Sequence, residues 1–219
     1  METKDLMYKR AYVWDKLNAE ERKACMDMGE DYKAFLNESK TERRCAAEII
    51  RRAKEAGFVC ICEKKELKAG DKVYYNNRGK AVMLSVIGSE PLENGMNIVG
   101  SHIDSPRLDI KQNPVYEAGG TTLLKTHYYG GVKKYQWVAL PLALYGVIVK
   151  ANGEKVEIAV GDKCGDPVFY ISDLLPHLAK DQMNKTMGEG VEGENLNILI
   201  GSLPVDEHPT DSKPPCSPY

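Results

Sequence analysis

His102 and Asp104 stand two residues apart, one serine after the apolar run Asn97-Ile98-Val99-Gly100. That run reads as a short buried strand, and open α/β sheets place their ligands beyond the ends of such strands. In extended chain, residues i and i+2 point to the same side, so the imidazole and the carboxylate can share one pocket. A metal-bound imidazole generally donates its other N–H to an acceptor behind it, which fixes the tautomer and raises ligand basicity. His-x-Asp supplies both groups from three residues. The same short pattern also serves as a plain hydrogen-bonded surface pair, so the wider sequence has to decide between them.

Other candidates carry two readings each. His127 precedes Tyr128 and Tyr129; it can line a site or an oligomer contact, or be a packed or surface histidine. Arg107, Lys133 and Lys134 suit an acidic substrate, and equally suit solvated surface charge. Tyr128, Tyr129, Tyr135 and Trp137 read as core or interface aromatics rather than a substrate platform. Gly119-Gly120 and Gly130-Gly131 lack the strand-to-helix setting of a phosphate loop, so nucleotide binding has no support. The six cysteines, at 25, 45, 60, 62, 164 and 216, are too scattered for a disulfide framework and read as reduced thiols. Cys60 and Cys62 alternate within an apolar stretch, as on one face of a strand rather than as half of a zinc knuckle.

The elements that must position these residues are legible as alternating periods. Residues 20–37 place Cys25, Met28, Tyr32, Phe35 and Leu36 at spacings of three and four, the stripe of a helix lying on a core. Ser39 and Glu42 form a capping-box pattern ahead of a second helix that buries Cys45, Ala46, Ile49, Ile50 and Ala53 and stops at Gly57. From Phe58 the period becomes two. Residues 59–62 read as a strand, and residues 73–76 and 81–87 as a hairpin across Asn77-Arg78-Gly79-Lys80. Residues 137–150 and 154–160 flank the turn signal Asn152-Gly153, residues 173–179 read as a helix entry with Pro176 in its first turn, and residues 196–201 as a strand. Helices beside a sheet imply an α/β layer architecture, with a second, β-rich unit beginning between residues 113 and 133.

Composition narrows the function class. Thirty basic and 32 acidic residues give a net charge of −2, so nothing draws the chain to nucleic acid or an anionic membrane. No apolar run reaches the roughly 18 residues of a membrane span, and the charged start Met1-Glu2-Thr3-Lys4-Asp5 is unlike a signal peptide. The chain reads as cytoplasmic.

The segment Val99-Gly100-Ser101-His102-Ile103-Asp104-Ser105-Pro106-Arg107-Leu108-Asp109 closely resembles the first metal-ligand segment of the M18 zinc aminopeptidases, the aspartyl aminopeptidase-like family. Ser39-Lys40-Thr41-Glu42-Arg43 resembles the family's helical segment, residues 124–131 its Tyr-Gly-Gly region, and residues 173–179 its Leu-Pro-His-Leu-Ala helix. The resemblance runs from about residue 5 to Val205. It implies a metalloexopeptidase that removes N-terminal residues of peptides within a homo-oligomer, using two zinc ions bridged by a carboxylate and a water whose pKa the metals lower. On that template His102 is a zinc ligand and Asp104 the carboxylate that orients it. His177, or Asp181 in another register, falls on the helix that sends a histidine into a neighbouring subunit's site, with plain helix packing as the other reading.

The resemblance also implies what lies beyond this chain. The family's bridging Asp, its Glu-Glu pair, a further Asp and a final His have no match, and Glu192 and Glu194 around Gly193 do not fit the Glu-Glu segment. A catalytic zinc normally takes three protein ligands plus water, so the isolated chain is expected to be inactive. Residues 1–112 then read as the N-terminal part of the zinc-exopeptidase α/β catalytic domain, and residues 113–205 as part of an inserted β-rich dimerisation domain. Residues 206–219, with four prolines in the last eleven positions, form an aberrant tail expected to be disordered, with a frameshift or early stop as the simplest origin. His208 in that tail has no expected role. A second reading is a catalytically inactive remnant or oligomerisation partner of a full-length aminopeptidase.

Overall fold

The computed structural model describes residues 7–8 and 10–203. The tail read from residue 206, with His208 and Cys216, lies outside them. The chain divides into two compact units, one ending at Asp104 and the other beginning at Ser105. Among the described residues, no helix is long and apolar enough to cross a membrane.

The first unit opens with three helices, α1 (Val13–Lys16), α2 (Ala19–Glu38) and α3 (Glu42–Glu55). Asn18 starts α2 because its side chain accepts the Glu21 N–H at 2.9 Å while the Glu21 carboxylate accepts the Asn18 N–H at 2.8 Å. Two otherwise orphaned donors are thereby satisfied. The stripe expected to lie on a core does not: Met28, Tyr32 and Leu36 are exposed, and α2 buries no residue. Period alone says that a face is apolar, not that anything covers it.

The cap of α3 also differs from expectation. Thr41, not Ser39, accepts the Arg44 N–H; Ser39 instead ends α2, its N–H donating to the Phe35 carbonyl. Helix α3 then lies on a sheet of β1 (Val59–Cys60), β2 (Lys72–Asn77) and β3 (Ala81–Val86). Cys45, Ala46 and Ala53 on the helix and Val73 and Tyr74 on β2 are buried, while Ile49 and Ile50 are half-buried. Gly57 ends the helix at φ +85°, a left-handed conformation that glycine adopts without Cβ strain. The buried Glu48 carboxylate accepts from Arg51 Nε and Arg52 Nε, each at 2.7 Å, and Arg52 also reaches Asp31 of α2. These guanidinium hydrogen bonds, Arg51 first, hold Glu48 at about 2 against the desolvation that would raise it.

Strands β1 and β2 run parallel, and β2 and β3 antiparallel with Asn77 opposite Ala81. The turn between them puts Arg78 and Gly79 at positive φ. The strand read across residues 59–62 stops at Cys60, where a 3-10 turn over Ile61–Glu63 takes over. Residues 97–100 are not a strand: Val99 is 99 % exposed, and among the described residues this run has no ladder partner. A buried strand needs neighbours to pair with its N–H and C=O groups.

The second unit contains β4 (Arg107–Ala118), β5 (Thr121–Tyr129), β6 (Leu144–Val149), β7 (Lys155–Val160), α4 (Lys180–Met183) and β8 (Ile198–Gly201). Strands β4, β5 and β8 form one antiparallel sheet in that order, with a register shift in β4 between Ile110 and Val115; β6 and β7 form a separate hairpin. Strand β4 continues through residues 112 and 113. Gly119 and Gly120, at φ +60° and +73°, make the tight β4–β5 turn. Leu124, Ile171, Val191, Leu196 and Ile198 form the core, with Trp137 and Phe169 packed against it. The buried Thr126 hydroxyl donates to the Leu196 carbonyl and ties β5 to the segment before β8.

Candidate metal centre

His102 and Asp104 lie in irregular chain at the end of the first unit. The imidazole Nδ1 is 2.9 Å from the Asp104 backbone oxygen and 3.0 Å from Asp104 Oδ1. Both partners are acceptors, so in the neutral ring Nδ1 carries the proton and Nε2 keeps its lone pair. The His102 side chain is 83 % exposed, which leaves that lone pair open to an incoming ligand. A neutral imidazole with its second nitrogen held by a carboxylate is the donor arrangement that suits zinc. Among the described residues, however, no group of three or more His, Cys, Asp or Glu is gathered as a metal cluster.

The remaining candidates lie in the second unit. His127 sits on β5 opposite Asp109 of β4, exposed, with its ring stacked on Tyr128 at 5.4 Å. His177 is exposed in a turn over residues 176–178, not on a helix; the helix read across residues 173–179 begins only at Lys180. Asp173 is part of the reason, because its carboxylate accepts the Leu174 N–H at 2.8 Å and the Gln182 amide at 3.1 Å, bracing a compact turn. Asp181, the alternative to His177, lines a cleft of about 410 Å³ together with Asp173, Lys185, Gln182 and Glu192.

Of the charges read as possible substrate attractors, Arg107 is engaged within its own sheet. Arg107 bonds Asp109 at 2.7 Å and lies over the Tyr129 ring at 4.0 Å. Glu194 is paired with Lys111 at 2.6 Å, and that hydrogen bond lowers its carboxyl below the usual range. Glu192 pairs with Lys185 at 3.2 Å. Both carboxylates flanking Gly193 are thus engaged in solvent-exposed ion pairs. One contact has its only sequence signal in Cys-x-Cys spacing: the sulfurs of Cys60 and Cys62 approach to 3.0 Å.

The profile of the family described as aminopeptidase I zinc metalloprotease (M18) matches residues 35–215. The chain belongs to the M18 aminopeptidase family. That match ends ten residues past Val205, within the segment read as an aberrant tail. The M18 family aminopeptidase 1 of Clostridium acetobutylicum is 49% identical over 207 residues, 93% of this chain and 44% of that protein. Its counterpart in Borreliella burgdorferi is 51% identical over 199 residues, 90% of this chain and 43% of the relative. The crystal structure of an M18 aminopeptidase from Thermotoga maritima superposes with a TM-score of 0.84 at 41% identity, covering 94% of this chain and 44% of that one. The chain therefore spans under half the length of the M18 relatives it matches, and its mixed helix and strand architecture is that of part of an M18 aminopeptidase. Zinc is the metal of the family.

Proposed function

We propose that this chain supplies the first zinc ligand of a metalloexopeptidase that hydrolyses N-terminal residues of peptides. His102 binds through Nε2, and Asp104 holds the ring from behind. The observation that carries the reading is the Nδ1 contact to both acceptors of Asp104, which leaves Nε2 as the ligating atom. When bound, a pair of zinc ions supplies a hydroxide-like water near neutral pH and polarises the scissile carbonyl. The chain's own contribution is positional: Asp104 fixes the tautomer that leaves Nε2 for the metal and restricts the ring's rotation.

One imidazole and one carboxylate are fewer than the three protein ligands a catalytic zinc takes. We expect the 219-residue chain alone to be inactive, with activity arising where further ligands are added by sequence such as the relatives carry. The exposed apolar faces of α2 and of residues 97–100 support a homo-oligomeric or otherwise completed assembly. His127 and His177 are the exposed histidines we propose for substrate or intersubunit contact. A cytoplasmic setting accords with the absence, among the described residues, of a membrane-crossing helix and with the five described cysteines being free thiols.

The test is a hybrid that joins residues 1–205 of this chain to the remaining sequence of the clostridial relative. Release of nitroaniline from aminoacyl-nitroanilides with added zinc or cobalt is expected from the hybrid, and none from the hybrid carrying His102→Ala. A hybrid whose turnover survives His102→Ala would remove His102 from the centre. Turnover by the isolated chain would require ligands other than those proposed.

A further inference from the structure

Cys60 closes β1 and Cys62 lies in the 3-10 turn that follows, with their sulfurs 3.0 Å apart. Two fully extended residues span about 6.6–7.2 Å, and the turn over Ile61–Glu63 shortens that path. A disulfide accepts Cα separations of about 4.4–6.8 Å and an S–S length near 2.05 Å, so closure asks for roughly 1 Å of sulfur movement. Cys60 is half-buried and Cys62 exposed, so a small solute can reach the pair. Both thiols are free, and neither belongs to the proposed zinc centre.

We infer that Cys60 and Cys62 form an oxidisable dithiol that low-molecular-weight disulfides close to an intramolecular disulfide. The deprotonated Cys62 sulfur attacks one sulfur of the reagent, whose S–S bond breaks to release the first thiolate. The deprotonated Cys60 sulfur then attacks the Cys62 sulfur of the mixed disulfide, forming the Cys60–Cys62 bond and expelling the second thiolate. The two protons lost by the cysteines end on the two released thiols. Two cysteine thiols are oxidised and one reagent disulfide is reduced.

The fold favours the second step by holding the attacking sulfur beside its target. The hydrogen bond between the two sulfurs, helped by burial, pushes the Cys62 thiol above its ordinary range. Exchange therefore accelerates as pH rises, because the thiolate is the nucleophile. Cys25 and Cys164, both exposed, are expected to stop at the mixed disulfide.

The experiment equilibrates the folded full chain in glutathione buffers of graded ratio, quenches with acid, blocks free thiols with N-ethylmaleimide and digests with trypsin. Residues 55–64 emerge as one peptide carrying only these two cysteines. The expected product is that peptide unblocked and about 2 Da lighter than its reduced form. Its midpoint should lie at a glutathione ratio at least about tenfold more reducing than that of the synthetic peptide of the same residues. A midpoint equal to the free peptide's would overturn the inference, as would a product that stops with glutathione on both cysteines. Cys62→Ser should accumulate a single glutathione adduct on Cys60; the midpoint comparison uses only the native sequence and stands whether or not that variant folds.

Discussion

The Nδ1 atom of His102 has two acceptors from one residue, the Asp104 backbone oxygen at 2.9 Å and its Oδ1 at 3.0 Å. They respond differently to substitution, since a side-chain change removes the carboxylate and leaves the carbonyl. Loss of an acceptor behind a ligating histidine costs about 10- to 100-fold in metal affinity. Asp104→Ala in the hybrid enzyme is therefore expected at the lower end, about tenfold, in a zinc competition titration. A much larger loss would mean that Asp104 touches the metal itself.

Glu48 gives the first unit an acid-sensitive tie. Its folded-state value of about 2 lies below the unfolded value near 4.3. The stabilisation is therefore fully present above about pH 4.3 and is lost as pH falls towards 2. Arg51 keeps about half its side chain in water, which screens the pair, so Glu48→Gln should cost about 1–2 kcal/mol rather than the 3–5 of a fully buried pair. Urea unfolding at pH 7 and pH 2.5 checks this: the gap between wild type and variant should shrink at the lower pH. A gap independent of pH would assign the loss to packing.

The parts of the fold legible in the sequence are those set by residues close along the chain. The β2–β3 turn at Arg78-Gly79 and the β6–β7 turn beside Gly153 need positive φ, and their residues announce it. The length of α2 follows from its period. What covers α2 does not, because burial depends on atoms distant in sequence. The capping-box spacing points to Ser39, but Ser39 ends α2 and Thr41 caps α3, a two-residue offset that the spacing alone does not reveal. The His102 and Asp104 pair was legible because i and i+2 suffice to bring the groups together. The pairing of Glu194 with Lys111, 83 residues apart, carries no local signal.

Thr126 tests the core of the second unit. Its hydroxyl is buried and donates to the carbonyl of Leu196, a residue with no exposed surface. Thr126→Val keeps the shape but leaves that carbonyl without this donor, an expected loss of about 1–2 kcal/mol. Thr126→Ser retains the donor and should lose less. Trp137 packs on the same core, so its fluorescence, read in a Trp14→Phe background, reports the transition. A larger loss for Thr126→Ser than for Thr126→Val would locate the effect in the methyl group.

The run at residues 97–100 links the fold to the proposed function, because it delivers the chain to His102. Ile98 and Val99 are β-branched and apolar, yet 79 % and 99 % exposed. Such residues favour a strand only when a neighbouring strand takes their backbone groups and covers their side chains. In the isolated chain the amides of Ile98, Val99 and Gly100 should exchange with deuterium near the free-peptide rate, while Val73 and Ser85, opposite each other in β2 and β3, exchange slowly. In the hybrid, where added sequence can supply strand neighbours, the same three amides should slow by about 100-fold or more. Protection already present in the isolated chain would mean that the run finds its partner without added sequence, and the dependence of the His102 position on such sequence would fall.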